Sequence, residues 1–322
     1  MRAADLGERR LIQLLTKHLY RNRKVLAGAG EDDAALLSFG GKELVATSDI
    51  MFSSTHFPNG MKAEHIGRKI AIANLSDLAA MGAAPLAMLF SFGVPTSFEV
   101  AELRRVIRGI NGVCSGYDAP FVGGDTKRAR ELTICGIAIG EVEKERALRR
   151  CNAKVGDVVA VTGEIGNAAL GLRMMLKGIR KPSKLINAFT NPKARISEGR
   201  AIAECAVGTA GMDITDGLLF SAGEIARMSG VCLSLEGSRI PISREAREFA
   251  RKYNINRNLL LDSGEDYELL VTIRNRRFGE VEERVEAVGG TLIAIGRVVG
   301  GKGVLLDERR VNAAGYDSLK PR

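Results

Sequence analysis

The chain has no tryptophan, three histidines and only 5% aromatic residues among its 322. A protein that grips nucleic acid by stacking bases needs more rings than that. Histidine-based triads are poorly supplied too. The five cysteines, Cys114, Cys135, Cys151, Cys205 and Cys232, are odd in number and form no Cys-x-x-Cys pair. That spacing argues against a zinc site or a disulfide framework, and for a reducing compartment. A Gly-x-x-x-x-Gly-Lys-Ser/Thr phosphate loop, a Rossmann glycine fingerprint and the protein-kinase catalytic set are all missing. The opening MRAADLGERRL lacks the apolar run of a signal peptide. Residues 78–98 are uncharged and long enough for a membrane span. Gly82, Pro85, Gly93 and Pro95 interrupt them, which predicts a helix ending near Gly82 and then a buried strand over 86–92. A soluble cytoplasmic protein with no membrane partner is expected.

What the chain does have is a hydrophobic content of 45%, ample for a sizeable core, and a net charge of +9. The charge admits a non-catalytic nucleic-acid-binding reading, whose signature would be binding that weakens steeply with salt. The basic residues are scattered, however, with small clusters at 21–24, 144–150 and 244–252 that sit beside acids or apolar residues. They read as a solvated surface that also favours phosphates. The length suggests two domains, divided as 1–148 and 149–322. Helices and strands mix in both halves without strict βαβ alternation, so the fold class is α+β. The first segment, 6–20, reads as an amphipathic helix. MDITDGLL at 212–219 reads as the opening of a helix, with Asp213 or Thr215 as its cap.

The most informative stretch is NLSDLAAMGAAP at 74–85. Helical spacing puts Asp77 on one stripe with Ile66, Ile70, Ala73, Ala80 and Met81. An inward aspartate is costly unless a cation or hydrogen-bond donors meet it. By itself it is equally a core carboxylate satisfied by backbone N–H groups or an arginine. Similar acids recur beside small or hydroxyl residues at element ends: Asp32-Asp33, Thr47-Ser48-Asp49, Gly123-Gly124-Asp125-Thr126, Asp213-Ile214-Thr215-Asp216 and Gly264-Glu265-Asp266. Singly, each is a cap or a turn residue. Together they suit a site for several Mg²⁺ ions, which take carboxylates, waters and substrate phosphates as ligands.

These motifs carry a resemblance. EDDAALL at 31–37, TSD at 47–49 with HF at 56–57, NLSDLAAMGAAP, GGDT at 123–126, Arg150 before NAKVGDVVAVTG, DITDGL at 213–218, GEDYEL at 264–269 and GYD at 315–317 run through nearly the whole chain. In this it resembles the thiamine-monophosphate kinases. Their superfamily also holds aminoimidazole ribonucleotide synthetase, selenophosphate synthetase and a hydrogenase maturation protein. The resemblance implies a two-domain aminoimidazole-ribonucleotide-synthetase-like fold, with the N-terminal sheet forming a barrel across a homodimer and an α/β sandwich as C-terminal domain. It implies ATP-dependent phosphorylation of thiamine monophosphate to thiamine diphosphate by direct in-line transfer with several Mg²⁺ ions. Asp33, Thr47, Ser48, Asp49, Asp77, Asp125, Asp213 and Asp216 match metal positions, with Asp32 adjacent. Gly124, Asp125, Arg150 and Thr215 match ATP contacts. His56, Glu265 and Tyr316 match contacts to the thiamine substrate. Glu31 stands where a glycine is usual, Thr215 replaces a serine, and Ser318-Leu319 replaces His-Phe. No general base is expected, because the acceptor is already an anionic phosphate oxygen; Asp49, Asp77, Asp125 and Asp213 act through metal. The alternative is another synthetase of the same superfamily. A selenophosphate synthetase would carry a reactive Cys or selenocysteine early in the chain, and no Cys precedes Cys114.

Overall fold

A computed structural model describes residues 3–17, 19–313 and 315. The helices are α1 (Ala3–Leu6), α2 (Glu8–Thr16), α3 (Ser53–His56), α4 (Ala63–Ala80), α5 (Val100–Gly116), α6 (Asn167–Leu176), α7 (Ser183–Thr190), α8 (Ile196–Cys205), α9 (Leu218–Ser229), α10 (Arg244–Lys252), α11 (Arg257–Asp262) and α12 (Phe278–Ala287). The strands of the first half are β1 (Val25–Ala27), β2 (Ala35–Phe39), β3 (Lys42–Phe52), β4 (Ala84–Val94), β5 (Phe121–Gly123), β6 (Thr126–Arg128) and β7 (Thr133–Glu143). Those of the second half are β8 (Val158–Val161), β9 (Ala210–Asp213), β10 (Cys232–Leu235), β11 (Leu269–Ile273), β12 (Ile293–Val299), β13 (Gly303–Leu306) and β14 (Arg309–Arg310).

Among the described residues the strands form two seven-stranded sheets. The first runs β1-β2-β3-β7-β4-β5, with β6 also paired to β4; the second runs β14-β13-β10-β12-β8-β11-β9. The long pairings β3/β7 and β4/β7 are antiparallel. In β7 burial alternates residue by residue, with Ile134, Ala138 and Val142 inside and Ile137 and Ile139 on the half-covered outer face. This period of two is the sheet's own geometry. No described helix is long and apolar enough to cross a membrane.

Helix α4 is the hinge of the packing. It lies on β3 and β7, beside α5, and against α8 and β9 of the second half. The one-sided apolar stripe expected for it is therefore incomplete: Ala71, Ile72, Leu75, Leu78 and Ala79 are buried as well as Ile70 and Ala73, while Ile66 is only partly covered. Each fully buried Ile or Leu contributes roughly 2 kcal/mol. Gly67 and Gly109 let α4 and α5 cross with backbones touching. A side-chain carbon on Gly67 would stand 1.9 Å from the Val106 carbonyl oxygen, and one on Gly109 2.0 Å from that of Glu64. One apolar cluster runs from the first sheet through α4 to Ile202, Leu269 and Val271, so the two halves share a core.

The segment 212–219 differs from its sequence reading. Residues 210–213 are strand β9, and α9 begins only at Leu218, behind Gly217 at φ 110°. Neither Asp213 nor Thr215 caps it. Pairing with β11 keeps Asp213 in the sheet, and the serine at 221 donates its hydroxyl to the Asp213 carbonyl at 2.8 Å.

Candidate active site

Three elements deliver the central acids. Asp77 comes from the last turn of α4, Asp33 from the turn before β2, and Asp213 from the end of β9. One carboxylate oxygen from each lies within 4.8 Å of the other two. Hydroxyls orient them. Thr47 donates to Asp77 Oδ2 at 2.5 Å, Ser76 to Asp213 Oδ2 at 2.6 Å and Thr215 to Asp213 Oδ1 at 3.2 Å. Asn74, buried in α4, accepts the Asp49 N–H at 3.2 Å and donates to the Ile70 carbonyl at 2.9 Å, bracing β3 against the helix.

The electrostatics are those of uncompensated negative charge. Burial pushes the Asp77 carboxyl well above the usual range, and the charges of Asp49, Asp213 and Asp33 push it further. Burial and then Asp33 raise Asp213 to about 8, while burial alone raises Asp49 to about 6. Asp216 rises to about 7 through burial and the nearby charge of Glu8. One cation reaches in. Burial opposes the charge of Arg150, but Asp33, Asp32 and Asp213 hold it protonated. Its Nε donates to Asp33 Oδ2 at 3.2 Å and its Nη2 to Asp33 Oδ1. Asp32 instead accepts the Arg150 N–H at 2.8 Å and Arg149 Nε at 3.3 Å, so it anchors that segment. Clustered, buried, all-oxygen ligands with a surplus of negative charge fit a hard divalent cation.

Other expected residues lie differently. Thr47 and Asp49 face α4, whereas strand alternation turns the Ser48 side chain to the opposite face, 3.4 Å from the Cys135 sulfur. Asp125 is exposed and outside the three-acid cluster; Lys127 and the Thr126 N–H bond its Oδ1 at 3.0 and 2.8 Å. With Gly124 it lines a cavity of about 340 Å³ walled by Phe90, Phe92, Leu103, Ile107 and Phe121. Gly124 is pressed on the Phe90 carbonyl, where a side-chain carbon would come within 1.7 Å. His56 ends α3; its Nδ1 accepts the Phe52 N–H at 3.2 Å, and burial lowers its pKa although the charge of Glu265 opposes this. Glu265 pairs with Lys69. Tyr316 lies outside the described residues, as does His18.

Sequence reasoning paired Ser76 with Asp77 as a hydroxyl beside an acid but missed Lys69 and Asn74 as parts of this arrangement. For Asn74 the available signal was a polar residue within the apolar part of α4; Lys69 follows Arg68 and gave none.

Set against known proteins, the chain has counterparts over nearly its whole length. The family model for AIR synthase related protein, N-terminal domain, matches residues 31–142, and that for the C-terminal domain matches 154–307. The two-domain α+β fold is thus that of the AIR synthase-related proteins. The thiamine-monophosphate kinase of Pyrococcus horikoshii is 38% identical over 293 residues, 90% of each chain. That of Aquifex aeolicus is 33% identical over 321 residues, 98% of this chain and 99% of the other. A structure of AaThiL complexed with AMPPCP and TMP superposes with a TM-score of 0.89 at 32% identity, covering 99% of both chains. The chain belongs to the thiamine-monophosphate kinase family.

Proposed function

We propose that the protein transfers the γ-phosphoryl group of ATP to thiamine monophosphate, releasing ADP and thiamine diphosphate. The observation that carries this is the convergence of Asp33, Asp77 and Asp213, with Arg150 beside them; the reading calls for no general base. An acceptor that is already an anionic phosphate oxygen needs none. Family membership and the complex of a relative with AMPPCP, an ATP analogue, and TMP support the same reading.

In this reading Asp33, Asp77 and Asp213 hold Mg²⁺, with Thr47, Asp49 and Asp216 close by; Ser48 contributes main-chain atoms at most. Bound there, Mg²⁺ screens the repulsion between two anionic phosphates and stabilises charge on the transferring group. Gly124, Asp125, Arg150 and Thr215 receive the nucleotide, and the apolar cavity beside Gly124 suits a purine base. Asp125 brings its carboxylate from the exposed β5–β6 turn, so its part is played with nucleotide bound. His56 and Glu265 receive the acceptor's rings. The division at 148/149 falls between the two matched domains. A homodimer fits the outer face of the first sheet, where Ile50 and Leu86 stand 51% and 43% exposed beside Ile137 and Ile139. The five free cysteines fit a reducing cytoplasm.

The test is direct. Purified protein with ATP and Mg²⁺ is expected to convert thiamine monophosphate to the diphosphate with ADP in equal amount. No conversion, together with turnover of a formylglycinamidine-type substrate, would favour the synthetase reading instead.

A further inference from the structure

Helix α4 also carries Lys69, two turns before Asp77. Its side chain is 0% exposed. A buried ammonium costs several kcal/mol unless it is met. Two groups meet it. Glu265 Oε2 accepts from Lys69 Nζ at 2.7 Å, and the Phe189 ring face lies 3.7 Å from the same nitrogen. Glu265 is itself 29% exposed, and its Oε1 has no hydrogen-bond partner among the described residues.

A purely structural pair would be redundant here. The neighbouring acids already fix the loop. Asp266 accepts the N–H groups of Gly166 and Ala168 at 2.7 and 3.3 Å. Glu268 accepts from Arg195 Nε at 2.7 Å and Nη2 at 2.5 Å, and from the Thr162 hydroxyl at 2.7 Å. The backbone is set as well. Glu265 sits at φ 69°, and its N–H donates to the Thr215 carbonyl at 2.9 Å. What these bonds leave free is the direction of the Glu265 carboxylate, and Lys69 sets it.

We propose that Lys69 is a positioning residue for the phosphate acceptor: it holds one oxygen of Glu265 and leaves the other for a cationic or N–H-bearing heterocycle. This rests on the reading of Glu265 as an acceptor contact. It assigns α4 two tasks from one rigid body, metal-binding through Asp77 and acceptor alignment through Lys69.

Steady-state kinetics of the wild type, Lys69→Met, Glu265→Gln and the double variant, with each substrate varied, test it. Lys69→Met removes the ammonium, with its contacts to Glu265 and the Phe189 ring, and keeps most of the aliphatic stem. The KM for thiamine monophosphate should rise about tenfold, with kcat and the KM for ATP within about twofold. The double variant should be no worse than Glu265→Gln alone. Lys69→Gln keeps an N–H donor and should recover most of the affinity; Lys69→Leu, which removes the donor, takes the place of Lys69→Met in the comparison with Glu265→Gln if Lys69→Met does not fold. Losses that multiply in the double variant, or that fall equally on both substrates, overturn the proposal. An unchanged KM in Lys69→Met beside a raised one in Glu265→Gln overturns the positioning role alone. An unchanged KM in Glu265→Gln removes the acceptor contact itself, and the proposal with it.

Discussion

Two groups of carboxylates gather around α4, and they are satisfied in opposite ways. Glu265, Asp266 and Glu268 come from one loop, and each has its own partner: Lys69, the N-terminus of α6, and Arg195. Asp33, Asp77 and Asp213 come from three distant segments and share one arginine, which bonds only Asp33 among them. Among the described residues, hydroxyls alone donate hydrogen bonds to the side chains of Asp77 and Asp213. In the first group Asp266 and Glu268 tie elements together, while Lys69 sets the direction of the Glu265 carboxylate. The second concentrates negative charge that the protein does not neutralise, which is the condition for recruiting a cation.

The contrast can be broken by substitution, and the largest effect on turnover is expected in the uncompensated group. Asp77→Asn removes a charge yet keeps an acceptor for the Thr47 hydroxyl. Turnover with ATP and Mg²⁺ should fall roughly a thousandfold, about 4 kcal/mol. The melting temperature without metal should hold or rise, because repulsion is relieved, and the rise that Mg²⁺ produces in the wild type should be lost. Near-normal turnover would move Asp77 into the structural group.

In the loop the pattern should invert. Arg195→Met strips Glu268 and Glu198 of their cation, at 8% and 10% exposure. Denaturant unfolding should show a loss of about 3 kcal/mol, since a buried carboxylate is left unpaired, while kcat stays within about twofold of the wild type. A large fall in kcat at unchanged stability would mean that the loop takes part in the chemistry.

The smallest effect on turnover is expected from Asp266→Asn, and its readout is pH. Burial pushes the Asp266 carboxyl up to about 8, although two backbone N–H groups favour its charged form. The folded state therefore binds this proton more tightly than the unfolded chain, whose carboxyl titrates near about 3.9. Its contribution to stability is complete below the unfolded value and is lost as pH rises through about 8. Asparagine does not titrate, so unfolding measured between about pH 5 and pH 8 should vary less in the variant. An equal slope in both proteins would assign the pH dependence to other groups.

Much of this was legible in the chain. α4 and the strand β4 after it follow from helical spacing and from the Gly and Pro breaks at Gly82, Pro85, Gly93 and Pro95. The acids at element ends stood out because small or hydroxyl residues flank them, and Asp77 because no other charge lies near it in the chain. Other features were hidden. Strand β9 is four residues long, AGMD, and nothing in so short a run separates a strand from a helix start. Ser48 looked equivalent to Thr47 and Asp49 until the alternation of β3 turned it to the other face. Asp125 looked equivalent to Asp77, but one lies in an exposed turn with Lys127 and the other on a buried helix.

By itself, the sequence determined the kind of ligands on offer: many oxygen ligands, no phosphate loop, and an apolar helix able to carry an acid inward. Composition and local pattern suffice for that, because ligand type and helical period are properties of neighbouring residues. Tertiary structure decided which acids share a site and which are tied off. Asp77 meets Asp213 across 136 residues, as Ser76 meets Asp213 across 137 and Lys69 meets Glu265 across 196. Such pairings depend on how two sheets pack around one helix, and packing is a property of the whole chain.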